Sequence, residues 1–410
     1  MSRLWRLFGN GKTLVLALVT FVLPWQTRSI FGGVEIGNQI SEFLTFSVYA
    51  VELILLISIV VQMRLWRFRE HRNLVIAALV ALFAIASSAF VADAWNITWH
   101  ALMHIAFAVM FFVALLDDDV KIKPIIMSFA AGLMVPVVLG TFQVITGASG
   151  SSTLLGLASR DAQRLGDAIV MIDGERVLRA YGSFPHPNMF GGYLALAAVG
   201  VSMLKFQWRR AVMTVVALGL IATGSRSALI GVALAASAVV VMRRWGSRAA
   251  VAAISCVLLV GMASVVFAPR LIASIRGGGV TELRSVVERA EQYATYPEVI
   301  RNEHLLLGIG PGTYVEELST TEPGKSVWAY QPIHNAILLM LAELGLLGGG
   351  VVVIFFVAVW RQSAMRPEAI APIVVLVSIA CFDHYLWSLW PGLALVALGM
   401  GMSVKLGKQL

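Results

Sequence analysis

The sequence predicts an all-α polytopic membrane protein of about twelve transmembrane helices, with a large helical periplasmic loop before the tenth span. Three observations predict it. Of 410 residues, 59% are hydrophobic and 13% charged, far outside the range of soluble domains. The apolar runs are long and unbroken, so membrane strands of alternating polarity are not the alternative. Cations gather in alternate short loops, which orients a multi-pass chain.

The runs lie at 13–26, 43–63, 74–92, 97–116, 124–147, 187–204, 211–224, 227–242, 249–268, 335–359, 369–387 and 389–404. A bilayer core roughly 30 Å thick takes about 20 apolar residues per helix, so a chain of this length holds roughly a dozen. Arg3, Arg6 and Lys12 precede the first run in the manner of a signal peptide, yet LPWQTRS offers no small-residue cleavage site, and the run reads as a retained span. With both termini cytoplasmic, nineteen of the 31 lysines and arginines fall inside, among them those of RLWRFREHR, KFQWRR and MRRWGSR. The net charge of +8 is therefore an orientation signal and a contact with anionic lipid. No basic domain of the kind nucleic acid requires is present. Three regions follow: 1–268 with nine spans and an outer segment at 148–186, a loop domain at 269–333, and 334–410 with the last three spans.

Chemistry is expected outside, because the long segments lie there. In the loop domain, Val286, Val287, Ala290, Tyr293 and Ala294 recur at helical spacing and suggest an amphipathic helix. GIGPGTY then turns the chain. Eleven of the twelve outer cations are arginine, a planar fork that pairs bidentately with phosphate. Arg179 precedes the sixth span, Arg289 lies on the amphipathic helix, and Arg226 sits at the tip of a short helical hairpin, where a cation opposes the helix dipole unless an anion offsets it. The plain alternative is pairing with nearby acids such as Asp161, Glu175 or Glu288.

His334 stands at the mouth of a span that Asn335 begins, and its near-neutral pKa makes it the natural proton acceptor. Glu343 lies nine residues deeper on another face and reads as a packing group. His100 and His104 share a helix face without a third ligand and read as core residues. Asp117, Asp118 and Asp119 read as a solvated cytoplasmic turn. Cys256 and Cys381 lie far apart in apolar runs, so no disulfide framework is visible. The first outer loop, TRSIFGGVEIGNQISE, has no paired aspartates to hold a metal over a lipid phosphate. Neither a metal nor another cofactor is expected. In RAYGSFPHPNMFGG, Pro187 suits a first helical turn and Pro185 keeps the preceding chain extended. Gly191 and Gly192 admit a close neighbour. His186 is a cap or acceptor contact.

RAYGSFPHPNMFGGYLAL (179–196), TGSRSALIG (223–231), LLLGIGPGTY (305–314) and QPIHNAILLMLAELGLLG (331–348) together resemble the bacterial O-antigen ligase and O-antigen polymerase superfamily. The resemblance implies an all-helical inner-membrane enzyme that moves a glycan from undecaprenyl diphosphate to an acceptor hydroxyl at the periplasmic face. For a ligase the acceptor is a lipid A core sugar; for an O-antigen or exopolysaccharide polymerase it is another glycan. Carried onto this chain, it implies catalytic roles for Arg179, Arg289 and His334, with Arg284 as the other counterpart of the loop arginine. Arg226, His186, Asn188, Asn335 and Tyr293 join them as substrate-binding candidates. The competing class is a transporter of a lipid-linked anion, which Glu52 inside the second span favours.

Overall fold

The computed structural model describes residues 9–272, 280–301, 304–363 and 366–409, with the side chains of residues 63 and 263–286 outside that description. The chain is mostly helical. Six helices among the described residues are long and apolar enough to cross a membrane, and three shorter apolar helices accompany them. This establishes a polytopic helical protein; the count of twelve spans is not established by it.

The helices follow the apolar runs closely. In order they are α1 (Gly11–Val22), α2 (Ala50–Gln62), α3 (Arg72–Ser87), α4 (Trp95–Leu115), α5 (Ile122–Gly132), α6 (Met134–Thr146), α7 (Pro187–Ser202), α8 (Arg209–Thr223) and α9 (Arg226–Ile272). After them come α10 (Val280–Val299), α11 (Tyr314–Thr321), α12 (Ala336–Ser363), α13 (Ala371–Ala380), α14 (Tyr385–Ser388) and α15 (Trp390–Gln409). The two runs at 227–242 and 249–268 belong to one element, α9, whose helical geometry breaks at Gly246 (φ 85, ψ 175).

All-α needs correction. Three antiparallel hairpins pair β1 (Arg28–Ile36) with β2 (Gln39–Tyr49), β3 (Ala148–Ser149) with β4 (Arg160–Asp161), and β5 (Ile169–Ile172) with β6 (Glu175–Leu178). The 43–63 run is thus half strand and half helix, because Thr45 to Tyr49 ladder onto Arg28 to Gly33. Thr45 and Ser47 alternate with Phe46 and Val48, a two-residue period that mean hydropathy averages away.

Helix α7 lies at the centre, packed by α8, α9 and α13. Apolar all round, it is buried along most of its length, as such a helix must be. The close approaches use small residues: a Cβ on Gly191 would lie 2.5 Å from Ser225 Cβ, and one on Gly192 2.0 Å from the Tyr385 hydroxyl.

The acidic turn is not solvated throughout. Asp117 is buried, accepts Lys12 Nζ at 2.9 Å and the Arg67 N–H at 2.7 Å, and its carbonyl accepts Lys405 Nζ. It ties α1, α4 and α15 together at one end of the bundle, since the buried Lys12 and Lys405 need acceptors there. Glu52 also has a structural partner. Its Oε1 lies 2.5 Å from His104 Nδ1, its Oε2 accepts the Tyr49 N–H at 2.7 Å, and His104 Nε2 meets His100 Nε2 at 3.1 Å. Of the two core histidines, His104 thus satisfies a buried carboxylate, and His100 bridges His104 to the Ser47 backbone.

GIGPGTY inserts into α12. At Gly345 (φ 65, ψ −173) the helix opens, and the gap is filled by backbone hydrogen bonds from Ile309 N–H to Ala342 (3.1 Å), Gly310 N–H to Glu343 (3.0 Å), Leu346 N–H to Leu305 (2.9 Å) and Leu347 N–H to Leu306 (3.1 Å). Only glycine suits Gly308, where φ is +78 and a Cβ would lie 2.3 Å from the Glu343 carbonyl. The Glu343 side chain is more than packing: it accepts Trp387 Nε1 at 2.7 Å and the backbone N–H groups of Gly312 and Tyr314.

Candidate functional site

Five segments meet at the end of the bundle opposite Asp117: the loop leading into α7, the α8–α9 turn, α10, the start of α12, and the break between α13 and α14. Pro187 opens α7, and His186 caps it by accepting the Asn188 N–H on Nδ1 at 3.1 Å. The preceding loop is pinned by Arg160, which pairs with Asp167 at 2.9 Å, donates to the Pro185 carbonyl at 3.0 Å and lies 4.6 Å over the Tyr181 ring.

That anchoring delivers Arg179 to the turn. Its Nε donates to the Thr223 carbonyl at 2.7 Å and its Nη2 to Asn188 Oδ1 at 2.7 Å. Asn188 Nδ2 in turn donates to Asp383 Oδ2 at 2.8 Å. Gly224 (φ +60) caps α8, and its missing side chain leaves room for the guanidinium, whose Nε would lie 3.2 Å from a Cβ there.

From the other side α10 brings Gln292, whose Oε1 accepts the His334 backbone N–H at 3.1 Å and contacts its Nδ1 at 2.9 Å. An oxygen that already accepts an N–H makes Nδ1 the protonated ring nitrogen, so Nε2 carries the lone pair. The His384 ring stands edge-on to His334 with centroids 5.2 Å apart, and Ser388 Oγ lies 2.7 Å from its Nδ1.

Asn335 is fully buried and occupied. Its Oδ1 accepts the N–H groups of Ile337 (3.1 Å) and Leu338 (3.0 Å), while its Nδ2 reaches Tyr293 Oη at 3.1 Å and the Cys381 carbonyl at 3.2 Å. Its geometry is that of a helix cap, and Tyr293 is its partner.

Arg179 lies in the positive fields of Arg226 and Arg289, with Asp383 the carboxylate facing it. Arg226, the exposed first residue of α9, stands where the helix dipole is positive. Arg289 has a buried Nε without a hydrogen-bond acceptor among the described residues, an arrangement that costs stability unless an anion completes it. Burial disfavours the Asp383 carboxylate, while the Asn188 amide that donates to it favours the charged form and helps hold it below its ordinary value. Burial pushes the His334 imidazole down to about 3, and His384 adds to the effect.

The structure therefore brings together Arg179, Arg226, Arg289, His186, Asn188, His334, Asn335 and Tyr293. The Arg284 side chain lies outside the described residues. Gln292, Asp383 and His384 join the site without having stood out in the sequence. For the last two a signal existed: CFDHYLW places two ionisable residues in an apolar run, which by itself marks a functional position. Reading 369–387 as one span conceals them, whereas α13 ends at Ala380. Among the described residues, the one carboxylate and imidazole group close enough to share a metal ion is Glu70, His71 and Asp118, at the opposite end.

Fold and site together describe a polytopic helical protein in which three arginines and the His334 imidazole gather at one end of the bundle. A family model described as O-antigen ligase matches residues 211–353, and the match supports the O-antigen ligase superfamily for this chain. The matched stretch includes Arg226, Arg289 and His334; Arg179, Asp383 and His384 fall outside it. A search of curated proteins finds no match.

Proposed function

We propose that the protein is an O-antigen ligase-like glycosyltransferase that moves a glycan from undecaprenyl diphosphate to a sugar hydroxyl of the lipid A core, at the periplasmic face of the bacterial inner membrane. The observation that carries this reading is the convergence of Arg179, Arg226 and Arg289 beside His334, with an unpaired buried N–H on Arg289. Guanidiniums suit a diphosphate whose charge grows as it leaves.

The acceptor oxygen attacks the anomeric carbon from the face opposite the diphosphate and inverts it. The bond from that carbon to the diphosphate oxygen breaks, and its electron pair leaves with the lipid diphosphate. His334 Nε2 takes the hydroxyl proton. Gln292 holds the ring in the tautomer this requires, so it is a positioning residue, as is Asn188, which links Arg179 to Asp383. The bound diphosphate offsets the arginine field and raises the basicity of His334 at the moment it is needed.

The test is transfer by the purified, reconstituted protein. His334→Ala abolishes product while leaving the elution profile and thermal unfolding of the wild type; near-normal transfer by that variant overturns the assignment.

A further inference from the structure

A cavity of about 780 Å³ opens at the end of the bundle away from the arginine and histidine cluster. It lies between the last turns of α7, the start of α8, the first half of α9 and the segment entering α13. Along α7, Ala198 in its wall lies twelve residues from His186, about 18 Å at the helical rise.

Two kinds of lining divide it. Val199, Met213, Val232 and Val239 give it an apolar wall. Lys205, Arg209, Arg243 and Arg366 ring one end, with Glu368 the lone carboxylate among the lining residues. Glu368 pairs with Arg243 and lies in the field of Arg366 as well, so one carboxylate faces four cations in the lining.

These positions are fixed by neighbouring contacts. Arg209 Nη1 donates to the Ser202 carbonyl at 3.2 Å, closing the turn between α7 and α8, and Lys123 Nζ reaches the Lys205 carbonyl at 3.4 Å. The cations thus arise from three separate stretches and converge on one space between helices, rather than lining a single loop.

We propose that this cavity is a binding site for an anionic phospholipid, with the headgroup phosphate among Lys205, Arg209 and Arg366 and the acyl chains along the apolar wall. A phosphate with two hydrocarbon tails matches both parts of the lining, whereas a free phosphate matches one. Charge complementarity selects an anionic lipid over a zwitterionic one, since an added ammonium meets a lining of four cations and one carboxylate. The site is independent of the transferase reading, because it shares no residue with it.

The experiment reads lipid retention by native mass spectrometry of the full chain extracted from vesicles of equal parts phosphatidylglycerol and phosphatidylcholine. The wild type retains phosphatidylglycerol selectively. Each cation is worth about 1 kcal/mol, or roughly fivefold, so Lys205→Gln with Arg366→Gln weakens retention about thirtyfold. The charge-keeping pair Lys205→Arg and Arg366→Lys retains it. Lys205→Gln alone alters one exposed side chain and loses about fivefold, which keeps the test decisive if the double variant fails to fold. Equal retention of both lipids, undiminished retention in Lys205→Gln, or displacement by inorganic phosphate at the lipid's own concentration would overturn the proposal.

Discussion

At the residue scale, Arg289 is the most exposed to test. Its buried Nε lacks an acceptor among the described residues, and the proposed function assigns that N–H to the bound diphosphate. Arg289→Gln keeps much of the side-chain volume and removes the charge; transfer falls about 10²- to 10³-fold, the usual cost of removing one charge-stabilising donor. Steady-state rates of the reconstituted variant check this. A loss below fivefold would return Arg289 to an ordinary surface role.

His334 gives a pH prediction whose sign follows from its lowered value. The neutral ring is the competent form, and burial pushes its pKa down to about 3. The acid limb of kcat/KM, which reports the free enzyme, therefore lies below pH 5 rather than near the ordinary histidine value of about 6.5. The limb of kcat lies higher, because the bound diphosphate favours protonation. A kcat/KM limb at 6.5 or above contradicts the account.

Arg179 and His334 stand out in the sequence because each lies close to the start of an apolar run, where a charge needs a reason, and Arg289 because it lies on an amphipathic helix of the outer loop. Gln292 was not, since an uncharged residue on an amphipathic helix carries no such signal. Asp383 and His384 carried one that continuous hydropathy outweighed.

At the element scale, the insertion of residues 305–310 into the opening of α12 positions the start of that helix, and so His334 and Asn335. Glu343 fastens the insertion through Trp387, Gly312 and Tyr314. Glu343→Ala leaves these buried N–H groups without their acceptor, a cost of about 1–3 kcal/mol for each. Thermal unfolding in one detergent is lowered, while Glu343→Gln, which keeps an accepting oxygen, recovers part of the loss. Equal unfolding temperatures for Glu343→Ala and the wild type would show the fastening to be incidental.

GIGPGTY could be read as a turn but not as an inserted segment, because the partner of its backbone is another backbone. The hairpin of β1 and β2 was hidden for a related reason. Its pairing is between stretches whose side chains are as apolar as those of a span, so composition alone separates neither. Helix positions, by contrast, follow from the apolar runs almost everywhere, since the bilayer imposes the same requirement on each.

At the scale of the whole molecule, the two ends of the bundle differ in chemistry. One holds the Asp117 network and the basic cavity; the other holds three arginines, three histidines and Asp383. A carrier of lipid-linked anions would concentrate polar groups at mid-depth. The Glu52 carboxylate, the main feature of that kind, is hydrogen-bonded to His104 and Tyr49.

The central claim is covalent transfer, and one measurement addresses it directly. Protein reconstituted in liposomes with an undecaprenyl-diphosphate-linked glycan is incubated with and without a lipid A core acceptor, and the products are weighed by mass spectrometry. The account predicts a core enlarged by the mass of the glycan, with one undecaprenyl diphosphate released for each product, only when acceptor is present. Movement of intact donor between leaflets, with no change in the mass of the acceptor, would contradict it.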